Sequence, residues 1–214
     1  MTAPIVTVRG EAQLEGPPDL ATLSCTLHAS GDSAEATRER LATGSQAIVE
    51  LLGEFASALE RHSSSGLHVS PEFNRHTPTK ITGYRGTFST TIEVADFDAL
   101  SPLILGLSRL PDSQVDGPWW SLRRDNPMFR EVRLAAIADA RQRADDYAAA
   151  FGATVAELVE VSDLDGGFGG GRQMQIAAME MAGDASAFAF EPAEQTVSGQ
   201  VTVRFTVRGG LAGG

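Results

Sequence analysis

The sequence predicts an α+β fold: a largely antiparallel sheet carrying two long helices and one shorter helix, in the order ββαββαβαββ. Three observations predict it. Several segments alternate apolar and polar residues with a period of two. Three other segments space their apolar residues three and four apart. Strands follow one another as hairpins instead of each being followed by a helix, which argues against a doubly wound sheet.

Ile5–Gly10 reads as a first short strand, and Glu15-Gly16-Pro17-Pro18-Asp19 as a turn. Ala21–Ser30 alternates over its whole length. Ala21, Leu23, Cys25, Leu27 and Ala29 share one face, and Thr22, Ser24, Thr26, His28 and Ser30 share the other. This is a strand with one wet side. Asp32 is placed to cap a helix, with Glu35 three residues on as in a capping box. That helix is expected to run to about Arg61, with Leu41, Ile48, Leu52, Phe55 and Leu59 on one stripe, and to stop at Ser63-Ser64-Ser65-Gly66.

Leu67–Phe73 and Ile81–Ala95 read as a hairpin around His76-Thr77-Pro78-Thr79. Phe97–Leu110 is the shorter helix, ended by Pro111-Asp112. Gln114–Arg124 is a strand holding Trp119 and Trp120, which point to opposite faces. Trp120 shares its face with Leu122 and is the core residue of the two. Asn126-Pro127 opens the third helix, which reaches Phe151 with Gly152 as its stop. Its middle is rich in alanine, which lets a helix lie close on a sheet. Thr154–Val161 and Gln195–Arg208 are the last strands. In the second, Val197, Val201, Val203, Phe205 and Val207 alternate with polar residues.

The chain has 214 residues, 42% of them apolar and 21% charged, an ordinary globular balance. A net charge of −11 argues against nucleic acid as a partner, because phosphate repels an acidic surface. No apolar run approaches the ~20 residues that span a bilayer, so no transmembrane segment is expected. Met1-Thr2-Ala3-Pro4 has neither a basic region nor an apolar stretch of a secretory signal. The expectation is a cytoplasmic protein if the chain is complete, and a periplasmic or envelope protein if a signal peptide was removed. The single cysteine, Cys25, excludes an intramolecular disulfide and sits on an apolar strand face as a buried thiol.

The residues that carry chemistry form no constellation. His28, His62, His68 and His76 lack zinc-ligand spacing and have no cysteine partner. There is no Gly-x-Ser-x-Gly elbow, and Cys25 and His28 lie on opposite strand faces. Gly166–Gly171 follows a strand, but no Lys-Ser/Thr follows it, so it reads as a hinge or loop tip and not as a phosphate loop. Asp145-Asp146 reads as a solvated helix face. The sequence therefore predicts no catalytic residues, no cofactor and no metal.

Several stretches together resemble the SIMPL-domain family, also called DUF541 or YggE-like. They are Val6-Thr7-Val8-Arg9-Gly10-Glu11-Ala12, Pro18-Asp19-Leu20-Ala21-Thr22, Ile81-Thr82-Gly83-Tyr84-Arg85, the Ala135–Ala144 helix with its Asp139-Ala140-Arg141, and the closing strand Gln195–Phe205. The resemblance covers about residues 5–208. It implies an α+β fold, no established enzymatic activity, an envelope or periplasmic setting in most members, links to oxidative stress in some, and ring-like oligomers in others. It supplies no catalytic residues.

The expected function is thus that of a non-enzymatic, self-associating protein of SIMPL type, a homo-oligomer with a stress-related scaffold or interaction role. The alternative is a small-ligand binding domain with a groove near Trp119 and Tyr84. Residues 1–208 are expected to form one SIMPL-like domain, with two subdomains left open, followed by a flexible tail at 209–214. Asp165–Phe190 is expected to be an excursion from the core. Its apolar Met174, Ile176, Met179 and Phe188 need covering, since each large side chain left in water forgoes ~1.5–3 kcal/mol. Packing in cis, docking on a neighbouring subunit and disorder all stay open at this point.

Overall fold

The computed structural model describes residues 3–74, 79–163 and 190–209. In chain order the elements are β1 (Ile5–Gly16), β2 (Leu20–Gly31), α1 (Ala34–Glu54), β3 (Leu59–Phe73), β4 (Ile81–Val94), α2 (Leu100–Ser108) after a 3-10 turn at Phe97–Ala99, β5 (Ser113–Ser121), α3 (Met128–Ala150), β6 (Ala153–Ser162) and β7 (Gln195–Gly209). This is the α+β order expected from the sequence. The antiparallel strands form two sheets, and the chain divides into two compact units. One, the central unit, holds residues 18–123 and 190–193. The other, the terminal unit, holds residues up to 17, 124–163 and from 194 on.

The central unit has sheet order β3-β4-β2-β5, every neighbouring pair antiparallel. With α1 between β2 and β3, and α2 between β4 and β5, this is the split β-α-β-β-α-β arrangement. Its core is large and aliphatic. Leu23, Leu27 and Ile92 from the sheet meet Leu41, Ile48 and Leu52 of α1 and Leu100, Leu103 and Leu107 of α2. Trp120 packs on this core, edge-on to Phe97 with ring centres 4.9 Å apart, while Trp119 is 43% exposed, as the alternation of β5 requires.

Two local expectations are corrected. The cap of α1 is Ser33, whose Oγ accepts the Ala36 N–H at 3.1 Å, and not Asp32. Helix α1 ends at Glu54 and not near Arg61, and residues 59–66 belong to β3. The cause is β4. Strand β3 pairs with it from Leu59 opposite Val94 to Phe73 opposite Ile81, so a helix to Arg61 followed by a stop at 63–66 would leave Ser89–Val94 without backbone partners on that side. The serine run has no apolar stripe to bury and lies exposed along the sheet edge.

The terminal unit has sheet order β1-β7-β6, again antiparallel, with α3 against one face. Asn126 Oδ1 accepts the Met128 N–H at 2.8 Å and opens α3. Gly152, at φ 68°, closes it in the left-handed region that glycine adopts without strain.

Candidate functional site

The terminal unit is built on small residues. Val132, Ala136, Ala140, Ala144 and Ala148 repeat every four positions along α3 and are buried against the sheet. Beneath them lie Gly10 and Gly199. A Cβ on Gly10 would come within 2.0 Å of the Ala136 carbonyl oxygen and 2.5 Å of the Ala140 nitrogen. The helix therefore rides close to β1 and β7. Nothing large is needed between them, and the large apolar residues of α3 fall elsewhere. Leu134, Ile137, Tyr147 and Phe151 are all exposed.

Tyr147 and Phe151 stand one helical turn apart and, with Ile5, Val6, Thr7 and Val207, help to line a cleft of about 580 Å³. None of the described residues lining it is charged, on a chain of net charge −11. Tyr147 is 58% exposed and Phe151 64%.

A second apolar feature lies on β6. Its register against β7 shifts between Val155 and Leu158, and again between Leu158 and Glu160. These two bulges place Val155, Leu158 and Val161 opposite Val207, Phe205 and Val203, the row of β7 that faces α3. Leu158 is 58% exposed and Val161 52%. Glu157 and Glu160 are neutralised within the unit by Arg208 at 2.9 Å and Arg204 at 3.0 Å.

The outer edge of β1 is partly covered. Val207 donates to the Pro4 carbonyl, so even-numbered residues of β1 face β7 and odd-numbered ones turn their backbone groups outward. The outward N–H of Glu11 is taken by Asp139 Oδ2 of α3 at 2.9 Å, and Arg143 braces the same carboxylate at 2.9 Å. These bonds, the one from the Glu11 backbone first, hold the Asp139 carboxyl below its ordinary range.

Tyr84 and Trp119 do not share a groove. Tyr84 on β4 stands opposite Gly31 at one end of β2, and Trp119 on β5 stands opposite Thr22 near the other. Nine residues of strand separate them, about 30 Å at ~3.3 Å per residue, and their side chains lie on opposite faces of the sheet. Met174, Ile176, Met179 and Phe188 lie outside the described residues, as do the glycine run and the tail beyond Gly209. Phe190 packs against the core of the central unit. Cys25 is buried among the leucines of β2. Its burial first, and the Asp116 charge second, push its thiol up to about 11. The sequence reading missed the cleft and the β6 strip. The available signal was that Leu134, Ile137, Tyr147 and Phe151 fall off the alanine stripe of α3.

Among the described residues, no three His, Cys, Asp or Glu side chains gather as metal ligands, and no helix is long and apolar enough to cross a membrane.

Comparison with known proteins gives one family match and distant relatives. The model of the SIMPL family, described as a protein of unknown function (DUF541), matches residues 6–205. The 26 kDa periplasmic immunogenic protein of Brucella melitensis is 27% identical over 171 residues, 74% of this chain and 66% of that protein. The matched region thus spans just under two thirds of that relative's length. The uncharacterised protein YggE of Edwardsiella ictaluri is 21% identical over 160 residues, 74% of this chain and 67% of that protein. Among solved structures, a hydantoinase/carbamoylase family amidase from Burkholderia ambifaria reaches a TM-score of 0.32 at 14% identity, over 57% of this chain and 34% of that one, a likeness too slight to carry an argument.

Proposed function

The chain belongs to the SIMPL (DUF541) family, and from that premise we propose that it is a non-enzymatic, self-associating protein whose assembly surface lies on the terminal unit. One observation carries the reading. The bulges of β6 turn Leu158 and Val161 onto the face that α3 covers elsewhere, yet leave both more than half exposed. Burying what remains exposed of each offers about half of the ~1.5–3 kcal/mol that a fully buried side chain of this size gains. Glu160 stands opposite Arg204, in the row facing away from α3, and pairs with it, while Glu157 pairs with Arg208, so neither acid brings an unpaired charge to this apolar row. We read residues 1–208 as one SIMPL-like domain of two subdomains, a reading supported by a family match that runs through both units.

A scaffold role under oxidative stress, and a periplasmic or envelope setting, belong to the same proposal. The setting is supported by the name of the Brucella relative. Native mass determination tests the assembly. A multiple of 22.6 kDa that persists at micromolar concentration is expected, and a monomer throughout overturns it. Cell fractionation of the natural protein tests the setting.

A second reading, binding of a small uncharged ligand, is favoured by the cleft beside Tyr147 and Phe151. Its volume of about 580 Å³ falls within the ~300–1,000 Å³ of small-molecule sites. The groove expected near Trp119 and Tyr84 has no such geometry.

A further inference from the structure

Strand edges are templates for another strand, and proteins usually blunt them with proline, charge, bulges or a covering element. Among the described residues, three of the four edge strands carry proline or breaks of register. Strand β3 has Pro71 and three shifts of register, β5 has Pro118 and a shift, and β6 has two bulges. Strand β1 differs. It pairs with β7 over all twelve residues without a shift, and its outer side faces no strand among the described residues. Asp139 occupies the outward N–H of Glu11, so α3 guards the middle of this edge. The guard ends there. Toward its start, β1 turns the backbone groups of Ile5 and Thr7 outward at the mouth of the uncharged cleft. The side chains of Ile5 and Thr7 belong to the row facing away from α3, so these residues line the cleft along the strand edge.

An unguarded stretch of regular edge next to an apolar, uncharged pocket is the geometry of strand addition. Main-chain hydrogen bonds hold the added segment, and the pocket selects every second side chain. We propose that the edge of β1 at Ile5–Thr7 receives an extended segment of a partner protein, uncharged over the docked stretch and carrying a bulky apolar side chain that enters the cleft between Val6, Tyr147 and Phe151. A peptide fits this site better than a small apolar molecule because it alone supplies alternating carbonyl and N–H groups to the strand edge. The surface is distinct from the β6 strip proposed for self-association, so it stands or falls separately from that reading.

Amide exchange measured residue by residue on the whole chain tests it. The probe is an N-acetylated, C-amidated six-residue peptide of alternating threonine and leucine. At saturation, exchange at Ile5 and Thr7 is expected to slow at least tenfold. The Glu11 amide, already bonded to Asp139, serves as the internal control and is expected to stay unchanged. The same peptide with N-methyl groups on its pairing side keeps the leucines and loses the donors, and is expected to bind at least tenfold more weakly. Thr7→Pro removes the outward N–H without touching the β7 ladder and is expected to abolish the protection while keeping the melting temperature. Should that variant fail to fold, the N-methylated peptide on the natural chain decides.

No binding up to millimolar peptide, equal binding of the N-methylated form, or unchanged exchange at Ile5 and Thr7 overturns the proposal. So does slow exchange of these amides in the free protein. If dilution releases that exchange, a second copy fills the edge. If deletion of residues 164–189 releases it, the chain's own segment does.

Discussion

The two units solve the same problem, a helix on an antiparallel sheet, with opposite materials. The central unit fills the gap with leucine and isoleucine from both helices and the sheet. The terminal unit closes the gap by bringing α3 down onto glycine and alanine. The first solution buries large side chains from both helices and the sheet. The second leaves several large apolar residues of its helix and of β6 on the surface, and among the described residues the smaller unit carries more of the exposed large apolar residues. Small-residue packing gains close contact at the expense of apolar area removed from water, and the surplus apolar surface is what makes the terminal unit the place to look for partners.

The largest effect is expected where the central unit loses volume. Leu103 is fully buried, and Leu103→Ala should cost ~2–5 kcal/mol, partly for the cavity left behind. Urea unfolding checks the size. Cys25 supplies a second readout, because its thiol, pushed up to about 11, reacts slowly while the unit stays closed. Thiol labelling of the variant should be at least tenfold faster than in the natural chain. Equal rates would mean that Leu103 does not hold the core around Cys25.

In the terminal unit, added volume should do the damage. Gly10→Ala puts a methyl group into the backbone of α3, and overpacking of this kind typically costs ~1–3 kcal/mol. Amide exchange in β1 and β7 should quicken. A variant as stable as the natural chain would show that α3 can lift from the sheet, and the contrast between the units would fail.

Surface changes on β6 should separate stability from assembly. Leu158→Ser with Val161→Thr alters exposed positions, so the melting temperature should hardly move, within ~0.5 kcal/mol of stability per site. The native mass should fall to that of one chain. An unchanged assembly places the contact elsewhere.

The smallest effect concerns Asp139, whose side chain is half-buried beside β1. Its folded-state carboxyl titrates below an ordinary aspartate, through the bond from Glu11 and the Arg143 ion pair. Its contribution is therefore complete above the ordinary aspartate range and is lost as pH falls through the lowered value. Amide exchange at Glu11, corrected for the intrinsic effect of pH, should speed up on acidification in the natural chain. In Asp139→Asn it should already be faster at neutral pH and respond less to acid.

Sequence by itself determined the order of elements, the antiparallel class and the identity of the buried rows, because those follow from periodicity. Alternation in Ala21–Ser30 and Gln195–Arg208 needs only a wet side and a dry side. The alanine stripe of α3 likewise announced a close helix. Capping, helix length and the site were not legible in this way. Residues 59–66 became a strand because β4, some thirty residues further on, needed a partner. Tyr84 and Trp119, both plausible rims of a groove, were carried to opposite ends of one sheet by the register of β2. The cleft joins the start of β1, the end of α3 and the end of β7, segments far apart in the chain. The exposed row on β6 depends on two bulges that break the alternation a reader of sequence would follow. Local periodicity records which way a residue points within its own element. Which elements meet, and at what register, is fixed by long-range backbone pairing and packing volume, and those belong to the tertiary structure.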